Sequence, residues 1–256
     1  WLGTKLRKMP IARARELIQG PKILLGLDVD EILTADSLES PDWKEVHSAE
    51  TGTILNFEKP DLIDGYEQVI RYHDSFFSLG LIDDGYIKFS EESHEFHTHR
   101  IPYQQNAKVL KIDTIKFLHF GLHNLNLQYS KEIFYSVLAL TQNKKKNYLE
   151  TLKLNFHYRK NYNYKALGKV ESCPLKWFDL WDRKKINLRN FQIGQFNCFD
   201  RETLRYFKIY GSKCFWNLNI WDFNWDDCLK YFKKENQDHN LPNSIKSPSP
   251  LITIRN

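Results

Sequence analysis

The feature that most constrains the fold of this chain is a repeated pattern of apolar residues. A leucine is followed by two residues, an apolar residue, one residue and a second apolar residue, and this happens four times. The first positions, Leu122, Leu149, Leu175 and Leu204, are 27, 26 and 29 residues apart. Such a period is typical of solenoid proteins, in which each repeat buries its apolar edge against the next one. The spacing therefore predicts an extended binding surface without chemistry of its own.

Each repeat is expected to be a strand followed by a helix. Directly after the first repeat, Ile133, Val137 and Leu138 lie at the spacing of one helical face. The predicted fold is α/β, an irregular leucine-rich-repeat-like solenoid of parallel strands with outer helices and a less regular N-terminal part. We expect three regions. They are an irregular or capping section over 1–105, the solenoid over 106–232 and a flexible polar tail over 233–256.

The repeats resemble a known superfamily. The segment Glu171-Ser172-Cys173-Pro174-Leu175, with the pattern that continues to Leu180, is similar to the Cys-Pro-containing leucine-rich repeats of F-box adaptor proteins. The resemblance covers about half of the chain. It implies a protein-protein interaction module without enzymatic activity, and more specifically the substrate-recognition repeats of an F-box-type ubiquitin ligase adaptor.

The predicted binding surface follows from strand geometry. Side chains alternate between the two faces of a strand, so the residues that flank the last two apolar positions of a repeat point away from the core. We expect these residues to form a concave face that binds a protein partner. They are Asn124, Asn126, Gln128, Thr151, Lys153, Asn155, Trp177, Asp179, Trp181, Tyr206, Lys208 and Tyr210. Trp and Tyr are enriched at binding hot spots, which favours the last two sets of three.

Outside the repeats, the sequence predicts three helices and two strands. Residues 1–19 indicate a basic amphipathic helix, which Gly20-Pro21 ends, and residues 23–29 indicate a buried strand. Residues 62–79 keep a helical spacing behind Asp61 as an N-cap. After the last repeat, residues 216–221 indicate a strand and residues 226–232 a closing helix.

The strand at residues 23–29 ends in the most reactive-looking motif of the chain, Asp28-Val29-Asp30. It resembles the first motif of haloacid-dehalogenase-type phosphatases, and Asp83-Asp84 resembles their last acidic motif. The resemblance implies that Asp28 is the nucleophile, that Asp30 is the general acid/base and that both hold magnesium. This magnesium-dependent phosphatase is the alternative to the interaction module, and it requires a parallel sheet. The other explanation of the motif is that Asp28 and Asp30 are ordinary surface carboxylates at the end of a strand, without a catalytic role.

No metal site or cofactor is predicted in the main interpretation. His94, His97 and His99 form a short cluster, but neither a strand nor a helix would bring all three together. The sequence contains no glycine-rich phosphate-binding loop and no zincin or hydrolase motif. The four cysteines include no C-x-x-C pair, which indicates reduced thiols and an intracellular protein of the cytoplasm or nucleus.

Charge and hydropathy limit the partners. The 37 basic and 32 acidic residues give a net charge of +5, with scattered basic residues, and this argues against a nucleic-acid partner. No apolar segment of about 20 residues is present, so no membrane span is predicted. Because the chain starts at Trp1 and its one methionine is Met9, we expect it to begin inside a longer protein or to have been trimmed.

Overall fold

The computed structural model of the protein describes residues 3–73, 76–88, 100–102, 106–142, 168–179, 196–236 and 240–248. The chain divides into two compact units. Unit 1 takes its residues from 1–123 and 165–187, and unit 2 from 124–164 and 188–256. No helix within the described ranges is long and apolar enough to cross a bilayer.

Unit 1 combines a sheet with two helices in its described part. The helices are α1 (Gly3–Leu17) and α2 (Asp42–Ser48). The strands are β1 (Lys22–Leu25), β2 (Glu31–Leu33), β3 (Ile54–Glu58), β4 (Asp61–Ile63), β5 (Gln68–Tyr72), β6 (Phe76–Asp83), β7 (Val109–Leu122) and β8 (Gly168–Ser172). Short 3₁₀ helices cover Ala35–Glu39 and Leu175–Phe178.

The strands form one mixed sheet in the order β1-β6-β3-β7-β4-β5-β8, and β2 pairs with β7 outside this path. The long strand β7 runs parallel to β3 and β4 and antiparallel to β2. The other pairs, β1 with β6, β3 with β6, β4 with β5 and β5 with β8, are antiparallel. A leucine-rich-repeat solenoid adds parallel strands one repeat at a time. The solenoid prediction is therefore wrong.

The repeat pattern led to the wrong fold because its first two apolar positions are three residues apart, which is also the i, i+3 spacing of a helical face. Leu122 ends β7 and Leu125 begins the next helix. Leu175 and Phe178 lie in a 3₁₀ helix. Leu204 belongs to a helix of unit 2. The second predicted repeat, at residues 149–154, lies outside the described residues.

Two apolar clusters hold unit 1 together. Val46 of α2 packs with Leu55 and Phe57 of β3 and with Phe117 of β7. A second cluster around Ile54 includes Leu24 and Leu81, and Ile11 of α1 packs against it. Because Ile54 and Leu55 are neighbours in one strand, the two clusters lie on opposite faces of the sheet.

Unit 2 is helical in its described part. Its helices are α3 (Leu125–Gln142), α4 (Cys198–Tyr210) and α5 (Trp225–Asn236). Asn197 and Asp200 form a capping box at the start of α4. The core contains Val137, Leu204, Phe207, Phe215, Trp225 and Phe232. In residues 240–248, which we predicted to be flexible, Leu241 is buried and the Lys246 carbonyl accepts hydrogen bonds from Ser212 and Trp216.

The structure confirms some of the other predicted helices and strands and contradicts the rest. The helix at residues 1–19 and the closing helix are confirmed by α1 and α5. The strand predicted over 23–29 is confirmed only as far as Leu25, where β1 ends. The helix over 62–79 is wrong, because Asp64 and Gly65 turn the chain with φ of 43° and 112° and separate β4 from β5. Residues 216–221 are turns rather than a strand. Strand β7 begins just beyond the predicted boundary at 105 but pairs with strands on its N-terminal side.

Candidate functional site

The loop between β1 and β2 presents the Asp28-Val29-Asp30 motif at the surface. The Asp28 and Asp30 side chains are 34% and 36% exposed. Gly26 begins the loop, and a β-carbon at this position would lie 2.8 Å from the β-carbon of Arg100. The missing side chain therefore lets Arg100 approach the loop.

Arg100 forms ion pairs with two carboxylates at the loop, those of Asp28 and Glu31. Its Nη2 lies 2.7 Å from Asp28 Oδ2, and its Nη1 contacts Glu31 Oε2. The other Asp28 oxygen, Oδ1, is 3.0 Å from Arg7 Nη2 of α1. Both oxygens of Asp28 are thus held by arginines.

Glu31 is the buried anchor of this network. It is 5% exposed, its Oε2 accepts a 3.0 Å hydrogen bond from the Asp28 backbone nitrogen, and its Oε1 lies 3.3 Å from Lys59 Nζ. Burial would raise the pKa of Glu31, but the ion pair with Arg100 lowers it below its usual value. The loop is therefore fixed by a buried carboxylate that remains charged.

His119 of β7 faces the second aspartate of the motif. Its Nε2 lies 3.4 Å from Asp30 Oδ2, and its Nδ1 lies 2.5 Å from Oδ1 of Asp61, which is 4% exposed. The sheet register produces this arrangement, because His119 is the partner of Glu31 in β2 and of Asp61 in β4. Burial would lower the pKa of His119, but its hydrogen bonds to Asp30 and Asp61 raise it to about 9.

Among the residues that the structure describes, the charges of this cluster balance only when His119 is protonated. Four carboxylates, three permanent cations and one imidazole meet here. They are Asp28, Asp30, Glu31, Asp61, Arg7, Lys59, Arg100 and His119. With neutral His119 the cluster has one excess negative charge. The space between Asp30 and His119 can therefore accept a positive charge other than the proton.

The residues predicted to bind a partner do not share one strand face. Asn126 and Gln128 lie on α3 with Asn124 just before it, and Tyr206, Lys208 and Tyr210 lie on α4. Trp177 belongs to unit 1, where it is 1% exposed, and the exposed Asp179 follows two residues later. Thr151, Lys153, Asn155 and Trp181 lie outside the described residues. Partner binding through these side chains stays a prediction, but the concave strand face on which it was based is absent from the described residues.

Other candidates have ordinary explanations or lie outside the described residues. Asp83 is fully buried at the end of β6, where the Arg15 guanidinium binds it through two hydrogen bonds of 2.9 and 2.6 Å. His94, His97 and His99 fall outside the described residues. The four cysteines are free thiols, of which Cys173 and Cys228 are buried and Cys198 and Cys214 are exposed. Within the described ranges, no group of three or more His, Cys, Asp or Glu side chains is arranged to hold a metal ion.

Sequence reasoning found Asp28 and Asp30 but missed His119, Asp61 and Arg100. A signal was present, since His119 follows Phe117-Leu118 and Asp61 precedes Leu62-Ile63. A lone ionisable residue in an apolar strand is seldom buried without a partner. The two residues are 58 positions apart in the chain, so the pairing itself required the fold. Comparison with protein-family models, curated protein sequences and solved structures returned no match.

Proposed function

We propose that unit 1 is an enzyme domain in which Asp30 and His119 bind a divalent cation. When bound, the cation would assist a substitution in which the bond between the transferred group and a phosphate or diphosphate breaks while a nucleophilic acceptor, such as water, forms a bond to that group. One observation carries this proposal, the Asp61-His119-Asp30 array, in which a buried carboxylate holds one imidazole nitrogen while the other nitrogen lies 3.4 Å from an exposed carboxylate. A carboxylate behind the imidazole is the usual support of a metal-binding histidine.

The donor set fits a hard or borderline divalent cation. Cations such as Mg²⁺ are bound by one or two protein carboxylates and complete their coordination with water and with substrate phosphate oxygens. Two protein ligands, Asp30 and His119, are therefore enough, and a cluster of three is not required. When bound, the cation would neutralise negative charge that develops on the leaving phosphate.

The surrounding residues of the chain prepare the site. Glu31 and Arg100 hold the loop, and through it the direction in which Asp30 is presented. Arg7, Lys59 and Arg100 offset most of the negative charge of the four carboxylates, which reduces the repulsion of a phosphate-bearing substrate. All three already contact carboxylates, so they contribute mainly to the local field.

The same contacts argue against nucleophilic attack by Asp28. Both Asp28 oxygens are ion-paired with arginines, and this reduces the nucleophilicity of the carboxylate. Strand β1 is antiparallel to β6, whereas the phosphatase alternative requires a parallel sheet. That alternative stays a prediction, and an Asp28→Asn variant separates the two, because a nucleophilic Asp28 would be indispensable for phosphate release.

The test is titration of the purified chain with Mn²⁺, followed by titration with pyrophosphate in the presence and absence of Mn²⁺. We expect Mn²⁺ to bind, pyrophosphate to bind only when Mn²⁺ is present, and Asp30→Asn and His119→Ala to weaken Mn²⁺ binding by at least about tenfold. Asp113→Asn is the matched control, because Asp113 is an exposed residue of the same strand as His119. Equal Mn²⁺ affinity in all four proteins, or no binding by the wild type, contradicts the proposal.

A further inference from the structure

We propose that Tyr72 and Gly121 are positioning residues that hold the His119 imidazole with Nε2 directed at Asp30. The inference rests on the proposed function, because it assigns both residues to the support of the proposed cation-binding histidine.

Tyr72 acts through Asp61. The Tyr72 hydroxyl donates a 2.5 Å hydrogen bond to Asp61 Oδ2, and Asp61 Oδ1 lies 2.5 Å from His119 Nδ1. Each carboxylate oxygen thus accepts one hydrogen bond, and Asp61 cannot rotate without breaking both. A fixed Asp61 keeps the imidazole proton on Nδ1 and leaves the lone pair of Nε2 for the site.

Gly121 leaves room for the His119 ring because it has no side chain. His119 and Gly121 are two residues apart in β7, so they share a face of the strand. A β-carbon at position 121 would lie 2.3 Å from His119 Cε1 and 2.9 Å from Nδ1, which is closer than atoms can approach. Gly121 is not among the glycines with positive φ, so the small side chain is required by the ring and not by the backbone.

A structural role for Tyr72 alone would change stability and nothing else. The distinguishing measurement is therefore ¹⁵N NMR of the His119 ring nitrogens in the full chain, which reports the tautomer, together with Mn²⁺ titration. The variants are Tyr72→Phe and Gly121→Ala. Tyr86→Phe is the matched control, because Tyr86 is 85% exposed in the same unit.

Above the His119 pKa of about 9, where the ring is neutral, we expect the wild type and Tyr86→Phe to show a single tautomer with the proton on Nδ1. Tyr72→Phe should show a mixture of tautomers and bind Mn²⁺ about tenfold more weakly, and Gly121→Ala should lose at least as much affinity. An unchanged tautomer and affinity in Tyr72→Phe overturns the inference, even if Gly121→Ala fails to fold. If the wild type does not bind Mn²⁺, the proposed function fails, and the tautomer of Tyr72→Phe then decides this inference by itself.

Discussion

Asp83 in unit 1 and Asp200 in unit 2 are buried to the same extent, 0% and 1% exposed, but their carboxylates have different kinds of partner. Arg15 binds both oxygens of Asp83, and Lys22 lies 3.9 Å away. Asp200 instead accepts a hydrogen bond from the Asn197 backbone nitrogen and has no ion pair within the described residues. Burial would raise both pKa values, but Arg15 lowers the pKa of Asp83, whereas the pKa of Asp200 is raised.

The contrast extends to other acids of the two units. In unit 1, Glu31 is kept charged by Arg100 and Lys59. In unit 2, Glu132 of α3 accepts a hydrogen bond from Gln128, and burial raises its pKa to about 7. The comparison teaches that buried acids of unit 1 are held charged by neighbouring cations, whereas burial raises the pKa of Asp200 and of Glu132 in unit 2.

The largest expected effect comes from removing the cation beside Asp83. Arg15→Ala leaves a buried carboxylate with only a distant lysine, so the free energy of unfolding should fall by about 3 kcal/mol at pH 7. Urea denaturation measures it. Arg13→Ala is the control on the same helix, because Arg13 and its partner Glu16 are both exposed and their loss should change little. Equal losses in the two variants would mean that the Asp83 pair does not stabilise unit 1.

A smaller effect should follow the protonation of His119 in metal-free protein. Its pKa is about 9 in the folded chain and about 6.5 in the unfolded chain, so folding favours the protonated form. The resulting stability is fully present below pH 6.5 and is lost as the pH rises through 9, and the size of the pKa shift limits it to about 3 kcal/mol. Urea denaturation with a chelator at pH 6 to 10 should show this loss of stability in the wild type. The control variant His47→Gln should show the same loss, because the His47 side chain is exposed. A wild-type slope that survives His119→Gln assigns the loss to another group.

The smallest effect is expected in unit 2. The folded-state pKa of Glu132 is raised to about 7, so its contribution to stability is present below about pH 4.5 and is lost as the pH rises through 7. Glu132→Gln should remove this loss and stabilise the protein by about 1 kcal/mol at pH 8.5, with no gain at pH 4. Thermal unfolding of the wild type and of Glu132→Gln at both pH values measures this difference in stability. A destabilised variant at pH 8.5 would show that Glu132 is charged and paired, as the acids of unit 1 are.

Local signals predicted local structure well. The Gly20-Pro21 break and the apolar run behind it correctly placed the end of α1 and the start of β1. The repeat pattern failed because it was read across segments that the fold separates, and because leucines three apart also suit a helical face. The Asp64-Gly65 pair was the overlooked turn signal that divides β4 from β5, since both residues tolerate positive φ.

The candidate site was predictable in part. Two aspartates at the end of an apolar strand stand out in a sequence, but the strand ends earlier than predicted, at Leu25, so that both aspartates lie in the loop before β2. The partners that give the motif its geometry come from β4, β7 and Arg100, and the contacts of the two aspartates with Arg100 and His119 span 72 and 89 residues of chain. Such pairings depend on strand register across the sheet, which no local pattern of this chain specifies.

The most direct test of the central claim is the ligand set of bound Mn²⁺, measured by electron spin echo modulation on the full chain. Our account predicts modulation from one directly bound imidazole nitrogen in the wild type and its disappearance in His119→Gln. It also predicts that Asp30→Asn weakens binding itself. A Mn²⁺ signal without a bound nitrogen, or with one that persists in His119→Gln, would contradict the assignment of Asp30 and His119 as the cation site.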